Sequence, residues 1–507
     1  MRETTTMQIA LLPLDERPVN VRLPAAVAAV AGATVVVPPE GSLPRMRERG
    51  DVEALGGWLT EQCLDARTDA AVVSLEMLLH GGLIASRLSD DDLAAILART
   101  QTLRTIRAAR PRMPVAAVSV VMRASDSYIA DEEPAYWTQH GRDLHALGGE
   151  LHRRFLGRPA TPRGAQARAV PAEVRSDFLR RRLRNHAANL AAVELAAAGV
   201  VDPLLITADD TATRSAGSLE QVWLDHWVQA LQPDERSVVV HAGADEVDTV
   251  LVSRALGLLH PDPVRIRLSC ADPSGLERVA LYENSPIGEG ASSQVRASGS
   301  IVVAGTADAV LVVHAPDPDR GDWRGDLPED RWVGPVKATV EAVRAALDSG
   351  AEVGVADVRY ANGADPALVE QLRDEGLLGG LAAYGGWNTA GNTIGSVVGA
   401  LRASVIGKRA GTFDATAQRR LLVHRVLEDW GYQAVVRTGL TGDVDPRTGR
   451  DPAAGAAEAG YLEQTRRGLE ALLATFAHGT RLEDVRLPWH RSFEVDFDLR
   501  LPAGRAG

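Results

Sequence analysis

The sequence predicts an α/β protein whose strands run parallel in a (β/α)8-like barrel, with a doubly wound parallel sheet as the alternative. Three observations carry that expectation. Short aliphatic runs rich in Val and Ile recur through the first 390 residues and alternate with longer Ala, Leu and Arg segments of helical period. These runs are continuously apolar, the pattern of strands covered on both faces. The length of 507 residues is several times a modal domain of ~100–150 residues, and 45% apolar against 24% charged residues is an ordinary globular composition.

Strands are expected at 9–14, 34–37, 70–75, 115–121, 204–207, 237–241, 264–268, 309–314, 352–358 and 381–384. A single barrel uses about eight, so an insertion is placed within 211–305 of a parallel α/β domain spanning 7–410. A helix over 91–109 carries Leu93, Ile96, Leu97, Leu103 and Ile106 on one face, with Ser89 or Asp90 as its N-cap. A longer helix over 171–198 opens on proline and holds Arg175, Arg180, Arg181, Arg182 and Arg184. In an acidic chain that series reads as a solvated face or an ion-pair surface rather than a phosphate site. After about residue 411 the strand rhythm stops. Helices at 414–430 and 457–477 flank a Gly/Asp/Pro-rich loop at 438–455, and the alternation of Phe493, Val495, Phe497 and Leu499 predicts a closing strand. Residues 411–507 are therefore expected to form a helical portion whose strand packs on the first domain.

The net charge of −12 argues against nucleic acid as a partner. Cys63 and Cys270 are far apart and lack companions at metal-ligand spacing, so they read as separate thiols in a reducing compartment. The start has no apolar run of signal-peptide length, and no run approaches the ~18 residues of a membrane span. A cytoplasmic protein without a membrane partner is expected; the oligomeric state has no signature in the sequence.

Polar residues accumulate where the apolar runs stop. The first run is followed by Asp15, Glu16, Arg17 and Asn20, the third by Glu76, His80 and Arg87, and the fourth by Arg123, Ser125 and Asp126. Further on come Asp209 and Asp210, then Asp245 and Glu246, then Asp357, Arg359, Tyr360 and Asn362, and last Trp387, Asn388 and Asn392. Parallel strands open their carboxyl ends onto one side of a sheet, so these groups are expected to converge in one acidic cleft.

Asp209 and Asp210 are the sharpest catalytic candidates. Neighbouring carboxylates in a partly dehydrated cleft repel, and one of them then keeps its proton near neutral pH, supplying an acid beside a base or stabiliser. Those are the roles that cleavage of a glycosidic bond requires. The competing reading is a turn in which Asp209 caps the next helix and Asp210 faces solvent. Asp15, Arg17, Asn20, Glu76, Arg123, Asp245, Glu246, Trp387, Asn388 and Asn392 are candidate substrate-binding residues: an indole face suits the C–H side of a sugar, and an amide offers a donor and an acceptor to its hydroxyls. A buried structural Trp with Asn as helix cap is the alternative there. No HxH, HExxH or CxxC pattern supports zinc, and no cofactor is expected, although Asp15, Asp209 and Asp245 would suit an oxygen-ligated Mg²⁺ or Ca²⁺. No GxSxG elbow is present, and neither cysteine lies in a polar strand-end cluster.

The segments PLDERPVN (13–20), SLEMLLHGGLIASR (74–87), TADDTA (207–212), GADE (243–246), YGGWNTAGNTIG (384–395) and LPWHRSFE (487–494) stand in an order that resembles the bacterial family of domain of unknown function 4127, from about residue 8 to 497. That resemblance implies no particular activity. A weaker similarity, to the hexosaminidase-like barrels of glycoside hydrolase family 84, rests on Asp209 and Asp210 and on YENSP (282–286), with Tyr282 and Glu283 where that family has Trp and Asp. It implies substrate-assisted hydrolysis of an N-acetylhexosaminide. The resulting expectation is a glycoside hydrolase-like enzyme acting on a small carbohydrate by paired-carboxylate chemistry. The alternatives are a non-catalytic binder of a sugar or peptidoglycan fragment, or a Mg- or Ca-dependent hydrolase using the same carboxylates.

Overall fold

The computed structural model describes residues 6–159, 161–162, 170–232, 234, 236–316, 333–441 and 451–502. Its strands are β1 (Gln8–Leu12), β2 (Thr34–Val36), β3 (Ala70–Ser74), β4 (Val115–Val121), β5 (Leu204–Ala208), β6 (Val238–Ala242), β7 (Arg265–Cys270), β8 (Ile301–Val302), β9 (Ala309–His314), β10 (Glu352–Asp357), β11 (Ala383–Gly385), β12 (Arg481–Arg486) and β13 (Asp496–Arg500). The first two sheets are parallel and open. One has the order β2-β1-β3-β4-β5-β6, the other β11-β10-β9-β7-β8, and β12 pairs antiparallel with β13.

The expected closed barrel is therefore corrected to the doubly wound alternative, twice over. In a barrel each strand pairs with its successor. Here the chain crosses from β2 over β1 to β3, and again from β8 over β7 to β9, so each sheet reverses direction once and keeps two free edges. Each reversal is a topological switch point, where a crevice opens beyond the carboxyl ends of the strands. The barrel that the family 84 resemblance implies is absent from the described strands.

The apolar runs divide their side chains between two cores, as the period of two dictates. Along β3, Val72 joins a central core while Ala71 and Val73 face an outer one; along β9, Leu311 and Val313 face the centre while Val310 and Val312 face outward. The central core is filled by α1 (Pro18–Val30), α2 (Val247–Ala255), α3 (Ile287–Ala297) and α4 (Ala390–Ala410), which supply Val27, Val250, Leu251, Val295, Val397, Leu401 and Ile406 between the two sheets. Helices in that layer must be apolar nearly all round, and α4 is buried at almost every position.

Close approach of α2 and α4 depends on small residues one turn apart. A Cβ on Gly395 would stand 2.2 Å from Glu246 Cγ, and one on Gly399 would stand 2.8 Å from Thr249 Cγ2. Gly395, the last glycine of YGGWNTAGNTIG, and Gly399 one turn beyond it thus serve helix packing, which joins the two sheets.

The expected helix over 91–109 is broken at Thr100 into Leu93–Arg99 and Gln101–Ala109, and Asp92 rather than Ser89 or Asp90 caps it, accepting from Ala95 N at 2.8 Å. The arginine-rich helix runs over Ala172–Ala197. Its Arg182 and Arg184 are buried, Arg182 gripping Glu220 at 2.8 Å and Arg184 donating to Ser86 O at 2.6 Å, so part of this series is an internal clamp. Helix Ala415–Val426 continues as a π-helical stretch, Leu427–Val436, and the later helix spans Glu458–Phe476. Between them, residues 442–450 of the expected loop lie outside the described residues. Phe497 and Leu499 of β13 pack with Tyr461, Leu469 and Leu473, while Asp496 pairs with Arg22 of α1 at 2.6 Å.

The packing makes a signed prediction. Gly395→Ala is expected to destabilise the protein by about 1–3 kcal/mol, because overpacking outweighs the ~1 kcal/mol gain in helix propensity. Gly460→Ala, in a helix where a Cβ meets nothing within 4 Å, is expected to be neutral or stabilising. Urea denaturation of both variants checks the contrast.

Candidate functional site

Arg17, just before α1, organises the strand ends of the first sheet. Its guanidinium is buried and donates to Asp15 at 2.7 and 2.9 Å, to Asp245 at 2.5 Å and to Glu494 at 3.1 Å. Those partners follow β1, follow β6, and lie on the β12–β13 connection. Burial lowers the pKa of Arg17, but the surrounding carboxylates outweigh it and hold the pKa well above the usual arginine value. Asp15 also accepts from Asn20 Nδ2 at 2.7 Å.

Asp245 is reached from the second sheet as well. Asn388, following β11, donates to it at 2.7 Å. Asn392 Oδ1 accepts from Ala244 N at 3.1 Å and Asp245 N at 3.2 Å, so it orients the loop after β6. That loop turns at Gly243, where φ is 126° and a Cβ would stand 2.1 Å from Glu246 Oε1. Thr389, not an asparagine, caps α4. Thr211 N donates to Tyr282 O at 3.0 Å, and Gly391 N to Glu283 Oε1 at 2.8 Å. The carboxyl ends of both sheets thus meet in one hydrogen-bonded network.

Asp209 and Asp210 leave β5 on a bend in which Asp210 has φ 35°, so neighbours that would point apart on an extended strand enter one network. Arg87 pairs with Asp209, and Arg123 pairs with Asp210 at 2.8 Å. Glu132 joins them, accepting from Arg87 at 3.1 Å, Arg123 at 2.9 Å and Arg491 at 2.5 Å; Arg491 also reaches Glu494 at 3.1 Å, which closes the path back to Arg17. Burial raises the pKa values of Asp209 and Asp210, opposed by the arginines and reinforced by neighbouring carboxylates. Burial likewise raises Asp245 and Glu494, against Arg17. The Asp210 side chain keeps 27% exposure against 12% for Asp209, which makes Asp210 the more reachable proton source.

The predicted residues separate into groups. Asp15, Arg17, Asn20, Arg123, Asp209, Asp210, Asp245, Asn388 and Asn392 belong to this hydrogen-bonded assembly. Glu76 does not join it: it is buried beneath β4, accepts from Val120 N at 2.7 Å, and is pushed up to about 7 by burial. Glu246 is fully buried, accepts from Gln294 at 2.6 Å, and is pushed up to about 8 by burial. Trp387 is 3% exposed and packs against Phe493 with ring centroids 5.8 Å apart, so it offers no face to a ligand. The capping alternative for Asp209 does not hold either, since Ser215 caps the next helix.

Arg87, expected among the converging strand-end groups, does join the assembly; sequence reasoning missed Glu132, Glu133, Trp489, Arg491 and Glu494. The visible signals were the acidic DEEP turn after β4 and the polar positions of LPWHRSFE. Arg17 and Arg491 both stack on Trp489, at 4.7 and 4.4 Å, and the indole donates to Glu16 at 2.6 Å. A groove of about 680 Å³ lined by Met7, Asp69, Pro114 and Leu258 lies at the opposite, amino ends of β1, β3 and β4, away from these groups. Among the described residues, no group of three or more His, Cys, Asp or Glu is placed to hold a metal ion, and no helix is long and apolar enough to cross a membrane.

The model of the family described as a protein of unknown function (DUF4127) matches residues 9–498, and the chain belongs to that family. None of the curated proteins compared with it matches.

The buried acid after β6 makes stability depend on pH. Glu246 holds its proton up to about 8 when folded, against an ordinary value of 4.5. Between those values the folded state binds the extra proton, so stability falls as pH rises from about 4.5 to about 8. Glu246→Gln is expected to flatten that decline, read as urea midpoints at pH 5 and pH 8; parallel declines in both proteins would contradict it.

Proposed function

We propose that the protein is a glycoside hydrolase-like enzyme acting on a small oligosaccharide, with Asp210 as proton donor and Asp209 as stabilising carboxylate. The observation that carries this reading is the Asp209–Asp210 pair: half-buried, bent into one network, each residue on its own arginine, and with pKa values raised above the ordinary carboxylate value. A carboxyl in that state can give its proton to the glycosidic oxygen as the C–O bond breaks, and water then supplies hydroxide to the anomeric carbon and a proton back to the pair. A neighbouring carboxylate, fixed in a water-poor setting, stabilises the positive charge that develops on the sugar ring. Asn388, partly exposed, is the group suited to sugar hydroxyls.

The reading rests on the carboxylates rather than on the family 84 resemblance, whose barrel is absent from the described strands. An N-acetylhexosaminide is the first substrate to try on the resemblance of Asp209, Asp210 and YENSP alone; the structure adds that this segment lies next to the pair, the Tyr282 carbonyl accepting from Thr211 N at 3.0 Å.

Asp210→Asn is expected to slow hydrolysis of substrates with poor leaving groups by ~10²-fold or more, the usual size of acid catalysis, and to spare activated aryl glycosides. Asp209→Asn is expected to slow both. A panel of aryl and natural glycosides checks this. Unchanged hydrolysis in both variants removes the pair from the mechanism, and saturable sugar binding without turnover points to the binding protein instead.

A further inference from the structure

Glu132 is the carboxylate on which Arg87, Arg123 and Arg491 converge, at 3.1, 2.9 and 2.5 Å. Each of those arginines extends its remaining donors to a different carboxylate: Arg87 to Asp209, Arg123 to Asp210, and Arg491 to Glu494. Without a common anion, the guanidinium groups would repel one another and turn toward the carboxylates that remain to each of them. Burial makes that repulsion strong, since Arg87 is 1% exposed.

The turn that presents Glu132 is itself fixed from a distance. Arg47 donates to the carbonyls of Ala130, Asp131 and Glu133, at 2.6, 2.9 and 3.0 Å. Glu133 then takes Arg123 Nε at 2.8 Å, so Arg123 is held on two sides before it meets Asp210.

We propose that Glu132 is a positioning residue which, by gathering the arginines onto itself, governs how much positive charge reaches Asp209 and Asp210 and so how the pair serves as proton donor. It touches no reacting atom. The inference rests on the reading of that pair as the working carboxylates, but its test needs no substrate, so it can fail while the glycosidase reading stands, and the reverse.

The charged groups facing the pair set the sign. Arg87 comes from the helix Leu83–Leu88; Arg123, Glu132 and Glu133 from the connection after β4; Asp245 from the loop after β6; and Arg491 and Glu494 from the β12–β13 connection, with Arg17 and Asp15 beyond them. Glu132 is a negative neighbour that raises the proton affinity of Asp209 and Asp210 and draws arginine charge away from them. Its neutralisation removes the repulsion and releases Arg87 and Arg123 onto the pair. Both effects favour the ionised form.

The test is a carboxyl-¹³C NMR titration of aspartate-labelled protein, with Asp210→Asn identifying the resonance. In Glu132→Gln the Asp210 titration is expected to move to lower pH by about one unit or more, and in Glu132→Asp, which keeps the charge, to return toward wild type. An unmoved or raised titration in Glu132→Gln overturns the proposal, as does failure of the aspartate to restore it. Should Glu132→Gln fail to fold, Arg47→Ala decides in its place, because Arg47 is exposed and holds only the turn. A downward shift there supports the proposal, and no shift overturns it.

Discussion

The buried guanidinium of Arg17 is the contact on which the site depends. Taking that charge out of water costs several kcal/mol, and only close, well-directed carboxylates offset it. Asp15, Asp245 and Glu494 do so, and because they come from remote parts of the chain, the bargain forces the ends of β1 and β6 and the β12–β13 connection to one point. Asn388 on Asp245 adds the second sheet. Removing Arg17 would leave those carboxylates buried together without their cation.

The fold supplies the frame for that convergence. Two open parallel sheets share a central layer of helices, and α2 and α4 press together through glycines, which brings the carboxyl ends of both sheets to one junction. A junction built this way consists of loop ends rather than strand faces, so its polar groups are drawn from many segments and its charge can be concentrated without opening the cores. The price is carboxylates in excess over arginines in a water-poor place. Burial, reinforced by those carboxylates and opposed by the arginines, raises the pKa values of Asp209 and Asp210, and it is this state that the proposed acid catalysis would use.

Much of this was legible in the sequence, for definite reasons. Strands buried on both faces must be apolar runs, and their ends must turn polar, so β1, β3, β4, β5, β9 and β10 and the loops bearing Asp15, Arg123, Asp209 and Asp245 stood out. Alternation marked β13. The barrel was the wrong closure because strand order is set by long crossovers that leave no local trace. The counter-signal was α4, whose apolar and small residues continue round the helix, as a layer between two sheets requires and an outer barrel helix does not. Trp387 was misread because its indole sits under Phe493, and Glu132 was missed because two of its three arginines, Arg87 and Arg491, come from elsewhere in the chain. Such pairings depend on the assembled fold and carry no periodic signature.

The central claim is that Arg17 holds the two sheets and the C-terminal connection as one site. Hydrogen–deuterium exchange of Arg17→Met against wild type tests it most directly. The account predicts faster exchange together in residues 243–246, 384–392 and 487–494, remote in sequence from the substitution. Faster exchange confined to residues 13–22, with those segments as protected as in wild type, would contradict it.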